Sequence, residues 1–324
     1  MPVNLSVPKL SVIVPAYNLQ DYIEACLLSV LEQQTDFAYE VMVCDDCSTD
    51  STAQRIADLQ QRFPDKLKAI FKPQNQGLAQ NMLTLLAACQ GDYIAYLDGD
   101  DLALAGKLQR QVDYLDSHAD CQMVYHESDM FDSASNKSIK YYSSQHYNWS
   151  HIPQRSGIED LIRYGTYLQA SSVMFRRHAH LAQTVALDCR IIFDYPFYIL
   201  NAGFLQANID FMPEVLGRYR IHDTSFGAQT SRSVTRRQQS LADIEHACVL
   251  AKQFAVADEV IAEGIAHHRF AAALYFLSRD EHQLFLHYIE AASADGRFFN
   301  DKHQLAYELR HQPSVLKKRI QEMA

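Results

Sequence analysis

Tyr93-Ile-Ala-Tyr-Leu-Asp-Gly-Asp-Asp101 is the stretch that decides how this chain is interpreted. Its first five residues predict a short β-strand, and three carboxylates follow directly, at Asp98, Asp100 and Asp101. Carboxylates this close together repel one another unless a cation or hydrogen bonds hold them. Such a cluster suits Mg²⁺ or Mn²⁺, which bind through one or two carboxylates plus substrate phosphates. An acidic turn that caps the next helix would use the same residue types, and the stretch alone favours neither interpretation.

Length, composition and charge limit the classes of protein that are possible. With 324 residues, 48% of them hydrophobic, the chain can form one large α/β domain with an added element, or two domains. A net charge of −10 excludes a chain-wide basic surface, so we expect no nucleic-acid partner. Residues 1–9 hold no apolar run, and no window approaches the ~18 apolar residues of a membrane span. We therefore expect no signal peptide, no transmembrane helix and a cytoplasmic location.

The cysteines point to a reducing compartment. There are seven, an odd number, and they are scattered along the chain. Cys44 and Cys47 form a C-x-x-C, but no second such pair and no paired histidines supply the remaining ligands of a zinc site. Cys44 also lies inside an apolar run, so we predict that it is a small core residue.

Strands alternate with helices over the first 125 residues, which predicts βαβ units and a mostly parallel sheet. Ligands of such sheets bind beyond the carboxyl ends of the strands. The polar clusters 15–18, 45–46 and 98–101 each follow a predicted strand, so we expect them to meet at one edge. The predicted strands are 10–15, 39–44, 67–71, 93–97 and 121–125; the predicted helices are 21–34, 52–62, the segment from 77 to 89, and 107–118.

The second half of the chain is less regular. Residues 130–155 are polar and predict a loop or short hairpin over the sheet, and 171–176 and 214–222 predict strands. Asp194 stands just before Pro196, which fits the first turn of a helix. From about Arg232 onward the apolar spacing is helical.

The order of these segments resembles the family 2 glycosyltransferases, which use sugar nucleotides and have the GT-A fold. The resemblance covers about residues 9–227 and favours the metal interpretation of the acidic cluster. It implies a GT-A domain at 1–230 with a Rossmann-like, mostly parallel sheet, and a helical C-terminal region at 231–324. Five motifs in the family's order carry it: Ser11-Val-Ile-Val-Pro-Ala-Tyr-Asn18, Cys44-Asp-Asp-Cys-Ser-Thr-Asp50, Asn75-Gln-Gly-Leu-Ala-Gln-Asn81, Tyr96-Leu-Asp-Gly-Asp-Asp101 and Tyr219-Arg-Ile-His222.

The resemblance also implies how the donor nucleotide is bound. Asp45 is expected to accept a hydrogen bond from N3–H of uracil or thymine, and Asp98 to contact the ribose or the diphosphate. Asp100 is expected to ligate the Mn²⁺ or Mg²⁺ that offsets charge on the leaving diphosphate. The complete set implied for the donor nucleotide is Pro15, Ala16, Tyr17, Asn18, Asp45, Gln80, Asp98 and Gly99.

Elements late in the chain complete the implied site. Arg220 and His222 are expected to close over the diphosphate, and His222 is expected to join Asp98 and Asp100 as a metal ligand. Asp194 falls where the family carries its catalytic base. A helix N-cap is the structural alternative for Asp194, and the two roles are compatible.

Two positions depart from the family's pattern, and two more are expected to have a simpler role. Gln80 stands where the family often has an arginine that helps to hold the base or the diphosphate. Cys47 stands where the family usually has glycine, so we expect its backbone φ to be negative. Asp46 and Asp50 are expected to cap helices rather than to bind substrate.

The activity implied is that of an inverting hexosyl- or N-acetylhexosaminyltransferase. The donor would be a UDP-sugar, with dTDP- and GDP-sugars as alternatives, and the acceptor a glycan or lipid-linked glycan such as an O-antigen or capsule repeat unit. A degenerate, non-catalytic scaffold that binds glycan or a partner protein stays open because of Gln80. A nucleotidyltransferase is a further alternative, but it would typically carry a Gly-rich basic loop where this chain has residues 15–18.

A small basic cluster, Lys317, Lys318 and Arg319, lies near the C-terminus. Basic residues near an anionic membrane contribute about 1 kcal/mol each, so three give weak, salt-sensitive contact with the inner face of the cytoplasmic membrane. A solvated helix end is the simpler alternative. The sequence does not predict the oligomeric state.

Overall fold

The computed structural model describes residues 7–147 and 152–323. The chain divides into two compact units. The first comprises residues 1–158, 166–187 and 200–222, and the second comprises 159–165, 188–199 and 223–324. The domain boundary between residues 230 and 231 stays a prediction.

A single mixed sheet forms the centre of the first unit. Within the described residues its strands are ordered β3-β2-β1-β4-β9-β6-β10-β5, with β7 paired to β6 and β8 paired to β10. The α/β fold class with a mostly parallel sheet is therefore confirmed. The strands are β1 Leu10–Ala16, β2 Tyr39–Asp45, β3 Leu67–Phe71, β4 Tyr93–Tyr96, β5 Leu102–Ala103, β6 Met123–Asp132, β7 Ser138–Tyr141, β8 Arg155–Ser156, β9 Met174–Arg176 and β10 Ile209–Ile221.

Four neighbouring strands, β3, β2, β1 and β4, run parallel to one another. All seven residues of β1 and of β2 are buried, as expected of parallel strands covered on both faces. Helices that follow β1, β2 and β4 along the chain bury apolar side chains such as Leu27, Ile56 and Val112 in the same core. The carboxyl ends of these strands consequently face one edge of the sheet.

The helices of the described chain agree with the apolar spacing of the sequence in most places. The segment 52–62 begins and ends as predicted, and the C-terminal region is helical as predicted. The helices are α1 Ile23–Leu31, α2 Thr52–Arg62, α3 Leu78–Ala88, α4 Lys107–Ser117, α5 Ile158–Tyr164, α6 Asp194–Leu205, α7 Phe226–Arg232, α8 Val234–Leu250, α9 Asp258–Ser278, α10 His282–Ala292, α11 Asp301–Glu308 and α12 Pro313–Glu322.

The strand expected at 121–125 extends much further, to Asp132. The sequence prediction stopped where the side chains become polar, but β6 stays paired with β10 as far as Asp132↔Ile221. The polar side chains are accommodated by hydrogen bonds: Glu127 is buried and accepts from the N–H groups of Ser128, Ser143 and Ser144. Polar residues can thus continue a strand where each has a partner.

The hairpin expected within 130–155 is present in its first part. β7 pairs antiparallel with the end of β6, and a π-helical turn at Tyr142–His146 follows. Residues 148–151 of the predicted segment lie outside the described part of the chain.

The second unit has its own helical core. Its buried side chains come from α8 to α12 and include Leu241, Phe276, Phe285, Ile289 and Leu316. No helix in the described ranges is both long and apolar enough to cross a membrane.

Candidate functional site

The site expected at the sheet edge begins with the ends of β1, β2 and β4. Ala16 is aligned with Asp45 across β1 and β2, and Ile13 is aligned with Tyr96 across β1 and β4. This register brings the segments that follow the three strands to one edge. The segments 15–18, 45–46 and 98–101 therefore lie at the same edge, as the sequence predicted.

The acidic loop, residues 98–101, is held from inside by its last carboxylate. Asp101 is fully buried. It accepts hydrogen bonds from Gln169 Nε2 at 2.8 Å and Ser171 Oγ at 2.6 Å, and from the backbone N–H of Arg220 at 2.8 Å. Burial, helped by the two neighbouring carboxylates, raises the pKa of Asp101 well above its usual range. Asp101 therefore joins β10 to the loop and is not exposed to a ligand.

Asp100, directly before Asp101 in the acidic loop, contacts the end of β10. Its Oδ2 lies 2.9 Å from His222 Nε2, and its backbone oxygen accepts from Arg220 Nε at 2.6 Å. The Asp100 side chain is 21% exposed and that of His222 is 8% exposed. The structure thus brings together Asp100, Arg220 and His222, which the family resemblance assigned to the metal and the diphosphate.

Tyr22, directly before α1, is a member of this cluster that the sequence analysis missed. Its ring centroid lies 4.7 Å from that of His222, and the guanidinium carbon of Arg220 lies 4.9 Å from the Tyr22 ring. A cation above an aromatic face is attracted by the ring quadrupole. Tyr22 lies inside the predicted helix 21–34, and no local pattern marks it as a site residue, because its partners are about 200 residues away in the sequence.

Asp98 begins the acidic loop. Its Oδ1 accepts a hydrogen bond from the Tyr96 hydroxyl, and its backbone N–H donates to Ser171 Oγ at 2.9 Å. In the ranges 7–147 and 152–323, no three His, Cys, Asp or Glu side chains converge to form a metal site by themselves. The carboxylates of Asp98 and Asp100 nevertheless fit Mg²⁺ or Mn²⁺, because these ions take one or two protein carboxylates and complete their shell with substrate phosphates.

The loops after β1 and β2 are joined through Ser48. The Ser48 hydroxyl donates to Asp45 Oδ1 at 2.5 Å, and its N–H donates to Asp45 Oδ2 at 3.0 Å. The same hydroxyl accepts from the N–H of Asn18 at 2.8 Å. Tyr17, in the loop after β1, is 45% exposed. The carboxylate of Asp45 is fixed in orientation by Ser48.

The expectation for Cys47 was wrong. Its φ is +60°, in the left-handed region, where the sequence analysis required a negative value. A non-glycine residue there costs about 1–2 kcal/mol, and this cost persists only where the surroundings impose it. Here the two hydrogen bonds from Ser48 to Asp45, which lie on either side of Cys47 in the sequence, impose the left-handed conformation.

Asp46 and Asp50 accept hydrogen bonds at the N-terminal ends of two different helices. Asp50 accepts from the N–H of Thr52 at 2.9 Å and so caps α2, as expected. Asp46 instead accepts from the N–H of Gly77 at 2.7 Å, directly before α3, and its Oδ1 lies 3.4 Å from Lys72 Nζ. Asp46 therefore holds the start of α3 against the end of β2.

The third motif of the sequence, residues 75–81, has a structural explanation. Gly77 precedes α3 with a φ of +85°, which suits glycine. Asn81 is buried and its Nδ2 donates to the carbonyl oxygen of Cys44 at 2.8 Å. Gln80, where the family often has an arginine, is exposed. The motif fixes the end of β2, where Asp45 and Asp46 lie.

A buried lysine lies beneath the acidic loop. Lys107 is 1% exposed and its Nζ donates to the carbonyl oxygen of Ser171. Burial lowers the pKa of Lys107 to about 7, and the charge of Asp101 opposes this shift. His126 is also fully buried, and burial together with the charge of Lys107 holds its pKa well below the usual value. Lys107 is consequently a buried hydrogen-bond donor that holds the turn at Ser171 next to the acidic loop.

Asp194 belongs to the second unit and is the first residue of α6. Its Oδ1 accepts from the N–H of Tyr195 at 2.9 Å, and burial raises its pKa. The Tyr195 hydroxyl donates to the carbonyl oxygen of Leu161 at 3.0 Å and lies 3.1 Å from His268 Nε2. These contacts fix the start of α6 within its unit. The catalytic role of Asp194 stays a prediction.

Comparison with known proteins identifies the class. The family model described as glycosyl transferase family 2 matches residues 11–181, which is more than half of the chain. The chain therefore belongs to glycosyl transferase family 2, and the resemblance inferred from the five motifs is confirmed. The matched range includes β1 to β4, the acidic loop and the segment 169–172 that binds it.

The relatives cover the chain only in part. Uncharacterized proteins of Mycobacterium bovis and Mycobacterium tuberculosis are 28% identical over 214 residues, which is 66% of this chain. This chain spans 59% of their length, less than two thirds. The putative teichuronic acid biosynthesis glycosyltransferase TuaG of Bacillus subtilis is 36% identical over 108 residues, 33% of this chain and 42% of TuaG.

Solved structures confirm the GT-A fold. Residues 1–349 of Staphylococcus aureus TarS, in complex with UDP-GlcNAc, match with a TM-score of 0.62 at 18% identity, over 96% of this chain and 87% of that one. The mannosyltransferase PcManGT of Pyrobaculum calidifontis, in complex with GDP-Man and Mn²⁺, matches with a TM-score of 0.59 at 17% identity, over 98% of this chain and 90% of that one. At these identities the likeness concerns the fold alone.

Proposed function

We propose that this protein is a metal-dependent inverting glycosyltransferase that moves a sugar from a UDP-sugar to a glycan or lipid-linked glycan. The observation that carries the proposal is the contact of Asp100 with His222 and Arg220 at the edge where β1, β2 and β4 end. Ligands of open α/β sheets bind at this edge. Membership of glycosyl transferase family 2 supports the reaction class.

The nucleoside would occupy the edge between β1 and β2. Asp45 would accept N3–H of uracil, and its orientation is already fixed by Ser48. The exposed ring of Tyr17 would contact the base, with Pro15, Ala16 and Asn18 around it. UDP-GlcNAc in the TarS complex supports a UDP-sugar, and GDP-Man in the PcManGT complex keeps other nucleotides as alternatives.

The diphosphate would lie beside the acidic loop. Asp100, Asp98 and His222 would hold a divalent cation, which offsets the charge that develops on the leaving nucleoside diphosphate. The guanidinium of Arg220, held between the ring of Tyr22 and the carbonyl oxygen of Asp100, would add a positive charge on the same side. Manganese in the PcManGT complex supports this assignment.

Inversion requires a base that takes the proton from the acceptor hydroxyl while the new bond forms. We assign this role to Asp194. Burial raises its pKa, which makes it a better proton acceptor than an ordinary carboxylate. Such a base typically contributes a factor of about 10²–10⁴.

The acceptor class rests on relatives. TuaG is named as a putative enzyme of teichuronic acid biosynthesis, which supports a surface polysaccharide as the acceptor. A cytoplasmic location belongs to the same proposal. The basic cluster adds little to a membrane contact, since Lys317 pairs with Asp280 at 2.6 Å and Arg319 lies 3.6 Å from Glu322.

Donor hydrolysis tests the proposal most directly. We expect the purified protein to release UDP slowly from at least one UDP-sugar in the presence of Mn²⁺, and EDTA to stop the release. GDP-Man and a dTDP-sugar in the same assay decide the nucleotide. Binding of UDP without hydrolysis of any donor, with or without metal, would instead support the non-catalytic scaffold.

A further inference from the structure

Ser171 lies at the centre of the contacts that fix the acidic loop. Its hydroxyl accepts from the N–H of Asp98 at 2.9 Å and donates to Asp101 Oδ2 at 2.6 Å. One side chain therefore forms hydrogen bonds with both the first and the last residue of the loop 98–101. Ser171 itself is 4% exposed, so no solvent competes for these bonds.

Ser171 is in turn held by the protein interior. It belongs to a short 3₁₀ turn, Ala170–Ser172, directly before β9. The buried Lys107 donates to its carbonyl oxygen, and Gln169, which precedes the turn, shares Asp101 Oδ2 with it at 2.8 Å. The turn cannot shift without leaving the buried Lys107 Nζ without this hydrogen-bond partner, and leaving a buried donor unpaired is costly.

Asp98 and Asp100, the carboxylates that the proposed function assigns to the cation, lie on the loop that Ser171 holds. They would repel each other when no cation is present, and the loop would open unless it is held. A hydroxyl that both donates and accepts can hold the backbone without adding another negative charge. The cation would then meet carboxylates that are already in place, which reduces the ordering cost of binding.

We propose that Ser171 is a positioning residue that pre-organises the acidic loop for the divalent cation and the diphosphate. Lys107 supports this role through its hydrogen bond to the carbonyl oxygen of Ser171. The proposal rests on the proposed function, since it assumes that a cation and a diphosphate bind at this loop.

The chain offers a matched control in the next residue. Ser172 is also a fully buried serine, but its hydroxyl donates to the carbonyl oxygen of Gln169 at 2.6 Å instead of contacting the loop. Ser171→Ala and Ser172→Ala therefore each remove one buried hydroxyl from the same turn. Ser171→Thr restores a hydroxyl at the first position.

Two measurements on the full-length protein test the proposal. Hydrogen exchange of peptides covering 98–101, measured without metal, should be faster in Ser171→Ala than in the parent and in Ser172→Ala. The Kd of Mn²⁺ in the presence of UDP, measured by calorimetry, should rise about tenfold in Ser171→Ala, since leaving a buried hydrogen-bonding group without its partner costs about that factor. Ser172→Ala should change it less than about twofold, and Ser171→Thr should recover most of the loss.

The outcomes separate this proposal from the proposed function. If the parent protein binds no Mn²⁺ in the presence of UDP, the proposed function fails. If the parent binds Mn²⁺ and both alanine variants lower the melting temperature alike without changing loop exchange or Mn²⁺ affinity, Ser171 is a core residue only. That second result overturns the positioning role and leaves the proposed function intact.

Discussion

His222 and Asp100 are joined side chain to side chain, with Nε2 2.9 Å from Oδ2, although 122 positions separate them in the sequence. The contact exists because β10 ends beside the acidic loop, where Asp101 accepts from the backbone N–H of Arg220. A carboxylate is a suitable ligand for Mn²⁺, and the contact with His222 restricts the orientation of this carboxylate. The fold itself therefore holds together Asp100, Arg220 and His222, which the proposed function assigns to the metal and the diphosphate.

Replacement of Asp100 tests the metal role. Asp100→Asn keeps the shape of the side chain but removes its charge, so we expect transfer to fall below detection and the Kd of Mn²⁺ with UDP to rise at least tenfold. EDTA should reproduce the loss in the parent. Asp113→Asn, at an exposed carboxylate on α4, is the matched control and should leave both values unchanged. Full activity of the parent in EDTA would disprove the metal assignment.

Tyr22 provides a second test, because its ring and not its hydroxyl makes the contacts seen here. A cation–π contact contributes about 0.5–2 kcal/mol, so Tyr22→Ala should lower kcat/KM for the donor by about two- to thirtyfold. Tyr22→Phe keeps the ring beside Arg220 and His222 and should stay close to the parent. Equal losses in both variants, measured with saturating acceptor, would assign the effect to the hydroxyl.

Asp194→Asn tests the catalytic base. The amide has the same shape but cannot accept the proton, so we expect transfer to fall by at least about a hundredfold while UDP binding stays unchanged. Asp188→Asn, at an exposed carboxylate near the start of α6, is the control. A variant that transfers sugar at the parent rate would leave Asp194 with a structural role only.

The pH dependence of the parent gives an independent readout of the same residue. A base works in its ionised form, so kcat/KM should fall as the pH falls through its pKa. Because burial raises the pKa of Asp194, the acidic limb should begin at a higher pH than for an ordinary carboxylate. In Asp194→Asn the residual kcat/KM should not show this fall at low pH.

Much of the first unit could be predicted from local pattern alone. β3 and α2 begin and end where the apolar spacing placed them, and the edge that collects the polar clusters follows from the alternation of strands and helices. The sequence could not reveal Ser171, Lys107 or Tyr22, because their roles come from contacts with residues far along the chain. It also misjudged Cys47, since a left-handed φ on a non-glycine residue depends on neighbours that no propensity describes.

Histidine burial in the second unit predicts how stability changes with pH. His303 is 2% exposed, and burial lowers its pKa to about 4. Its Nδ1 accepts from the N–H of Phe299 at 3.1 Å, and its Nε2 lies 3.0 Å from Ser293 Oγ. Protonation of Nδ1 would break the first of these bonds, so the folded state resists it.

The sign of the effect follows from proton uptake. Between the unfolded pKa of about 6.5 and the folded value of about 4, the unfolded chain binds more protons at residue 303 than the folded one. The free energy of unfolding should therefore fall as the pH is lowered through this window. Urea titrations at pH 7.5, 6, 5 and 4.5 would measure the fall. His303→Gln should reduce its slope by up to about 1.4 kcal/mol per pH unit, whereas His311→Gln, at an exposed position, should leave the slope unchanged. Equal slopes in the parent and in His303→Gln would show that His303 does not couple folding to pH.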